Sequence, residues 1–210
     1  MSYAALNAKL SAMSARSATP QNSNTITQAA TDICRYITGK LQRDYVAAMA
    51  LAVSQDKNIQ YYTAQWKRLN RLDKTNWTAL RSILGAEIDL NNILWMYRLK
   101  RYHCVTGDAT FGYLVPIRYR LSRETTRRMA DCGTPIDLLD EVERSPYAVD
   151  FALMINKKTS TETKSIIASE SRPTPEQMLT MAIIRRYQTA ARRYPNSLAA
   201  TLAYLHTVSR

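Results

Sequence analysis

Glycine and proline are scarce in this chain of 210 residues, five and seven in all. That scarcity argues against a many-stranded sheet, whose turns consume both residue types. Histidine is scarcer still, with only His103 and His206. Neither has a second ligand at helical spacing beside it, which argues against a metal site and against a histidine-based nucleophile. The three cysteines, Cys34, Cys104 and Cys132, form no CxxC pair and leave one over in any disulfide scheme. They read as small buried hydrophobes in a reduced compartment. No apolar run approaches the ~18 residues of a membrane span. The N-terminus, Met1-Ser-Tyr-Ala-Ala-Leu6, lacks the basic flank and apolar core of a signal peptide, so the expected location is the cytoplasm. The only glycine-bearing turn of note, Leu84-Gly-Ala-Glu87, has one glycine and no Lys-Ser/Thr, so it is no phosphate cradle. Acidic pairs such as Asp137/Asp140 and Glu141/Glu143 suit a solvated helix face better than an acid and its base. The residues offer no catalytic constellation and call for no cofactor, and the chain reads as something other than an enzyme.

What is present favours helix. Hydrophobic residues make up 46% and charged residues 22%, the balance of a soluble globular protein, and Ala, Leu, Met, Arg and Gln are abundant. At this length one or two domains can bury roughly 70% of the unfolded surface. Residues 3–16 carry Tyr3, Leu6, Leu10 and Met13 at helical spacing, and the polar stretch 17–25 reads as a linker. The expected organisation is therefore an N-terminal helix and linker over 1–24, followed by one all-α domain over 25–210.

Within that domain the spacing predicts a long helix from about Thr27 to Val53, on which Ile33, Ile37 and Leu41 step by four. Ser54 is placed as the cap of the next helix, which carries Ile59, Tyr62, Trp66 and Leu69. A short helix with Trp77, Leu80, Ile83 and Leu84 follows, with Gly85 as its stop or as a kink. Val115-Pro116 ends a brief helix over 109–114, and Ile117-Arg-Tyr-Arg-Leu121 reads as an extended connector. Ser122 caps a helix to about Ala130. Thr134, Pro135 and Asp137 open another to about Glu143. Ser145-Pro-Tyr147 restarts a helix that ends near Asn156, and residues 157–172 read as an exposed loop. Thr174-Pro-Glu-Gln177 begins an amphipathic helix that Pro195 stops, and Asn196 or Ser197 caps the last one. The sum is an all-α, repeat-like bundle of about eight to ten helices.

The stretch that organises it is residues 84–102. Ile88, Leu90, Ile93, Leu94, Met96, Tyr97 and Leu99 occupy nearly every side of a helix, so this helix should be central and covered on several faces. It also carries Asp89, Asn91 and Asn92 early and Arg98, Lys100 and Arg101 late, an order that suits the helix macrodipole.

The formal net charge of +12 calls for an acidic partner or surface. From Arg98 to Arg128 eight basic residues (98, 100, 101, 118, 120, 123, 127 and 128) stand against Asp108 and Glu124. Tyr97, Tyr102, Tyr113 and Tyr119 are interleaved with them. Such a mixture fits nucleic-acid binding, protein docking, or plain solvation of helix faces. No helix-turn-helix, homeodomain or RNA-module signature singles out nucleic acid.

Glu87-Ile-Asp-Leu-Asn-Asn-Ile-Leu-Trp-Met-Tyr-Arg-Leu-Lys-Arg-Tyr102 resembles the signature of the central-stalk subunit of V-type (vacuolar/archaeal-type) ATPases, called C in prokaryotes and d in eukaryotes. The family pattern is an Asp, an Asn two or three later, an apolar step and Arg-x-Lys. Asp89, Asn91 or Asn92, Arg98 and Lys100 match it. Tyr113-Leu-Val-Pro-Ile-Arg-Tyr-Arg-Leu-Ser122 resembles the family's proline-containing connector, with Leu121, Ser122 and Glu124 as the helix start after it. Ser145-Pro-Tyr147, Arg193-Tyr-Pro195, Ala203-Tyr-Leu205 and the opening residues 3–14 follow in the family's order. Family members are longer, three helical units around a funnel. This chain resembles a shortened member, with part of the first unit and the terminal acidic helix lacking.

The resemblance implies a non-catalytic adaptor on the cytoplasmic side of the membrane, peripheral to it. Its partners would be the rotor shaft and the ring of proteolipid subunits. It would couple ATP hydrolysis or synthesis to the movement of protons or sodium ions. Asp89, Asn91, Asn92, Arg98 and Lys100 would be its polar cluster, structural or at an interface. Arg101, Arg118, Arg120, Arg123, Arg127 and Arg128 would form a basic docking surface. The alternative is a basic helical protein that binds nucleic acid or regulates.

Overall fold

The computed structural model describes residues 31–35, 37, 39–53, 59–152, 175–195 and 197–208. Every regular element among them is helical, and the fold class is all-α. In order these are α1 (Lys40–Val53), α2 (Ile59–Leu69), α3 (Lys74–Arg98), a π-helical turn (Leu99–His103), α4 (Asp108–Phe111), α5 (Arg123–Asp131), α6 (Pro135–Glu143), a 3-10 turn (Ala148–Phe151), α7 (Pro175–Arg193) and α8 (Leu198–Val208). The expectations for residues 3–16 and 17–25, the Ser54 cap and the 157–172 loop lie outside the described residues.

The chain divides into two compact units, one of residues up to Leu84 together with Ile183 onward, the other Gly85–Ala182. The first unit packs α1 against α2 and α8. Tyr45, Val46 and Met49 of α1, Tyr62 and Leu69 of α2, and Leu198, Ala199 and Leu202 of α8 are among its buried apolar side chains. Burying each large one is worth roughly 1.5–3 kcal/mol. The expected continuous helix to Val53 is broken. Residues 31–34 make one helical turn, Ile37 and Gly39 are outside helix, and α1 starts at Lys40. Arg43 N–H donates to Gly39 O at 3.1 Å, so Gly39 stands at the N-cap, a place glycine accepts. The break resets the register: Leu41, expected on the apolar face, is 47% exposed.

The second unit is built on the later half of α3. Ile88, Leu90, Ile93, Leu94 and Met96 are all buried, and so is every residue from Ile83 to Leu90. Gly85 neither stops nor kinks this helix, which runs through it for 25 residues. A Cβ there would lie 2.7 Å from the Cβ of Tyr119. The glycine therefore serves a close approach. After Arg98 the helix widens into the π turn, which closes on Cys104 at φ 52°, a left-handed value rare outside glycine. Gly107, at φ 62°, then donates its N–H to Ala130 O at 2.9 Å.

The caps of α5 and α6 form as their sequences dictate. Ser122 Oγ accepts from Thr125 N–H at 3.0 Å. Thr134 and Asp137 make the reciprocal capping box, with Pro135 in the first turn. Leu138, Leu139 and Val142 of α6 are buried, as are Tyr147 and Phe151. Where a helix to about Asn156 is expected, Ala148–Phe151 form a short 3-10 turn and Ala152 is α-helical, and residues 153–156 lie outside the described residues.

Candidate functional site

Helix α3 and the π turn that extends it carry three buried polar side chains that reach away from their own segment, each gripping main chain elsewhere in the second unit. Asp89 is 1% exposed. Its Oδ1 accepts from Tyr119 N–H at 3.2 Å, and its Oδ2 from Arg120 N–H at 2.7 Å, Leu121 N–H at 3.1 Å and the Tyr147 hydroxyl at 2.8 Å. Three consecutive amides aimed at one carboxylate fix the connector's backbone. Burial pushes the Asp89 carboxyl above its ordinary value, and the four donors oppose the rise without cancelling it.

Three residues on, Asn92 pairs with one residue from both sides. Its Nδ2 donates to Val115 O at 3.1 Å and its Oδ1 accepts from Val115 N–H at 2.9 Å. The amide thus imitates a strand neighbour for the residue before Pro116. Only Asn offers donor and acceptor at that reach.

Lys100, in the π turn, is 3% exposed and donates to Ala130 O at 2.8 Å and Cys132 O at 2.7 Å. These carbonyls lie at the C-terminal end of α5, where a cation satisfies orphan acceptors and opposes the helix dipole. Burial lowers the Lys100 pKa, against the pull of Cys132 and Asp131. Asn91 donates to Glu87 O of its own helix at 2.9 Å. Arg98 is half-buried at the end of α3.

The basic side chains fall into two groups. Arg127 pairs with Asp108 at 3.6 Å and Asp131 at 3.7 Å. Arg128 pairs with Glu124 at 3.0 Å and Glu141 at 2.9 Å, and Arg144 shares Glu141 at 3.1 Å. Arg118, Arg120 and Arg123 are exposed, and among the described residues none of the three makes an ion pair. Arg120 lies over the Tyr119 ring at 5.8 Å. Arg101 donates to the Tyr97 hydroxyl at 3.0 Å and lies over the Tyr102 ring.

Two contacts had no herald in the apolar pattern. Tyr147 reaches Asp89 across 58 positions of sequence. In the first unit Asn76, 1% exposed, accepts the N–H of Leu198 at 2.7 Å and so caps the start of α8. The only local signal is that Asn76 stands three after Asp73, whose carboxylate accepts its N–H at 3.2 Å and its amide at 2.6 Å. That is a helix-start pattern, in a place where composition shows a break.

Asp89, Asn92 and Lys100 direct their hydrogen bonds to the chain's own backbone and one tyrosine. Side chains held this way position structure. Among the described residues no cluster of three His, Cys, Asp or Glu is arranged to hold a metal ion, and none of their helices is long and apolar enough to cross a membrane.

The fold and these contacts define an all-α protein whose long helix fixes its own connectors. Residues 56–208 match the family described as the ATP synthase (C/AC39) subunit, and the chain belongs to that family, the C/d subunits of V-type ATPases. Comparison with curated proteins and with solved structures gave no match.

Proposed function

We propose that this chain is the non-catalytic central-stalk adaptor of a V-type ATPase. It would join the rotor shaft to the proteolipid ring on the cytoplasmic face of the membrane, so that ATP turnover and proton or sodium movement are coupled. The observation that carries this reading is the family match over residues 56–208. Its physical support is the use made of the motif residues. Asp89, Asn92 and Lys100 anchor three separate stretches of backbone, at Val115, at 119–121 and at 130–132. A part that transmits torque needs stiffness in its connections, and buried, fully paired polar groups supply it.

The test is recovery of partners. A tagged full chain, extracted from source-cell membranes in mild detergent, is expected to carry rotor-shaft and proteolipid subunits with it. Recovery of neither would end the adaptor reading.

A further inference from the structure

The connector between α4 and α5, with the first residue of α5, is fixed in place yet offers charge that makes no ion pair among the described residues. No acidic residue occurs between Asp108 and Glu124, while Arg118, Arg120 and Arg123 fall inside that span. Along it the side chains alternate. Ile117 and Tyr119 are half-buried and Leu121 buried, whereas Arg118 and Arg120 are exposed. The alternation follows from the clamp, because Asp89 holds the amides of residues 119, 120 and 121 and leaves the intervening side chains to point outward. Tyr119 in turn sits where Gly85 leaves room. Farther along the chain the arginines are treated oppositely: Arg127 and Arg128 of α5, and Arg144 just after α6, are each neutralised by Asp or Glu of the same unit.

We infer that Arg118, Arg120 and Arg123 form a preorganised docking surface for an acidic segment of a partner protein, one that presents at least two carboxylates. The setting for this inference is the adaptor reading above, which it deepens. Three features favour protein carboxylates over lipid phosphate or nucleic acid. First, the cations are guanidinium groups: Lys100 is the sole lysine between Gly85 and Ala152, and it is buried. Arginine is the residue enriched at protein interfaces, lysine the one depleted, and its planar fork matches a carboxylate. Second, the connector's aliphatic residues Leu114, Val115 and Leu121 are buried and Ile117 is half-buried, which leaves Tyr113 as its one exposed large apolar side chain, too little to insert into a bilayer. Third, three charges fall short of the roughly four to eight of a polybasic lipid-binding segment. Because the backbone is already held, docking orders little besides the arginine side chains, which favours affinity.

The experiment compares three forms of the full-length chain: wild type, Arg118→Glu/Arg120→Glu/Arg123→Glu, and a control with the same change of charge in the first unit, Arg71→Glu/Arg185→Glu/Arg192→Glu. Far-UV circular dichroism and the urea midpoint confirm that each is folded; where the connector variant is not, the matching glutamine triple takes its place. Each is extracted from source-cell membranes, and each is titrated against labelled poly-L-glutamate, against vesicles of about a quarter phosphatidylglycerol in phosphatidylcholine, and against duplex DNA. Wild type and control are expected to recover ATPase subunits and to bind polyglutamate, and the connector variant to lose about tenfold or more in both. Equal recovery and equal polyglutamate binding by all three overturn the inference and leave the adaptor reading standing. Recovery by none ends the adaptor reading, and polyglutamate then decides the inference alone. Arginine-dependent binding to vesicles or DNA, without binding to polyglutamate, overturns it in favour of phosphate.

Discussion

Helix α3 has an aspartate for each of its two halves, and the two are used in opposite ways. Asp73 stands just before the helix at its N-cap, exposed, with Oδ2 on the N–H of Asn76 and Oδ1 on the amides of Asn76 and Gln42. Asp89 lies inside the helix and buried, with its oxygens on the connector and on Tyr147. The first does local work, starting a helix. The second does long-range work, tying residues 30 and more apart in sequence. A carboxylate at a helix end can be replaced by water; one among buried amides cannot. The comparison therefore predicts unequal consequences for the same substitution.

Asp89→Ala carries the largest expected effect. It leaves three backbone N–H groups and the Tyr147 hydroxyl without their acceptor, and each buried orphan costs about 1–3 kcal/mol. Relaxation of the connector returns part of this, so a net loss of about 3 kcal/mol is expected in urea unfolding. Asp73→Ala removes an exposed cap and should cost about 1 kcal/mol. If the two losses were equal, the distinction between local and long-range work would be wrong.

Gly85→Ala comes next. In an isolated helix this change would stabilise by about 1 kcal/mol. Here the new methyl meets Tyr119 at 2.7 Å, and overpacking costs about 1–3 kcal/mol. A net loss of about 1 kcal/mol is expected, and Tyr119→Gly in the same chain, which takes away that Cβ together with the ring, should remove most of the penalty specific to Gly85→Ala. A stabilised single variant would show that the connector yields freely and that its clamp is weak.

Asn76→Ala tests the corresponding anchor in the first unit. It frees one amide, that of Leu198, so the cost is one orphan donor, about 1–2 kcal/mol. The loss should lie below that of Asp89→Ala, in proportion to the amides each side chain serves. Hydrogen exchange at Leu198 should rise in this variant while exchange at residues 119–121 stays unchanged.

These residues also mark what the sequence can and cannot tell. The cap signals at Ser122, Thr134 and Pro135 are local, and local chemistry is written where it acts. The all-round apolar character of residues 88–99 likewise announces a central helix, because burial on every face requires it. The break at Gly39 leaves no trace in the apolar spacing, since Ile33, Ile37 and Leu41 keep a perfect interval of four across it. Periodicity alone cannot see a register reset. The family pattern picks out Asp89, Asn91 or Asn92, Arg98 and Lys100 as residue types, but the partners of Asp89, Asn92 and Lys100, at Tyr147, Val115 and Ala130, depend on tertiary approach. No spacing rule connects positions 23 to 58 apart. The basic run shows the same limit in part: Asp131 and Glu124 stand four residues from Arg127 and Arg128, a spacing legible in the sequence, but only the fold brings Asp108 and Glu141 to the same pair.

The smallest effect, and the one that separates the aspartates most cleanly, is pH dependence. Burial opposes ionisation at Asp73 too, but there the hydrogen bonds from Asn76 and Gln42 win and its carboxyl falls below the ordinary value. At Asp89 burial wins and the carboxyl stands above it. The signs follow from which state binds more protons. For Asp73 the unfolded chain holds the proton more tightly. Its contribution is therefore present above the ordinary value, about pH 4 for a free Asp, and is lost as pH falls through the folded value. For Asp89 the folded chain holds the proton more tightly. Its contribution is full below about pH 4 and is lost as pH rises through the folded value. Urea midpoints measured from about pH 2.5 to 6.5 should thus respond in opposite directions to the two neutral variants. Relative to wild type, Asp73→Asn should remove part of the rise on the acid side, and Asp89→Asn part of the fall on the other. Subtracting each variant's profile from that of wild type cancels the carboxylates they share. Two difference curves of the same slope would mean that the hydrogen bonds, and not burial, govern both groups.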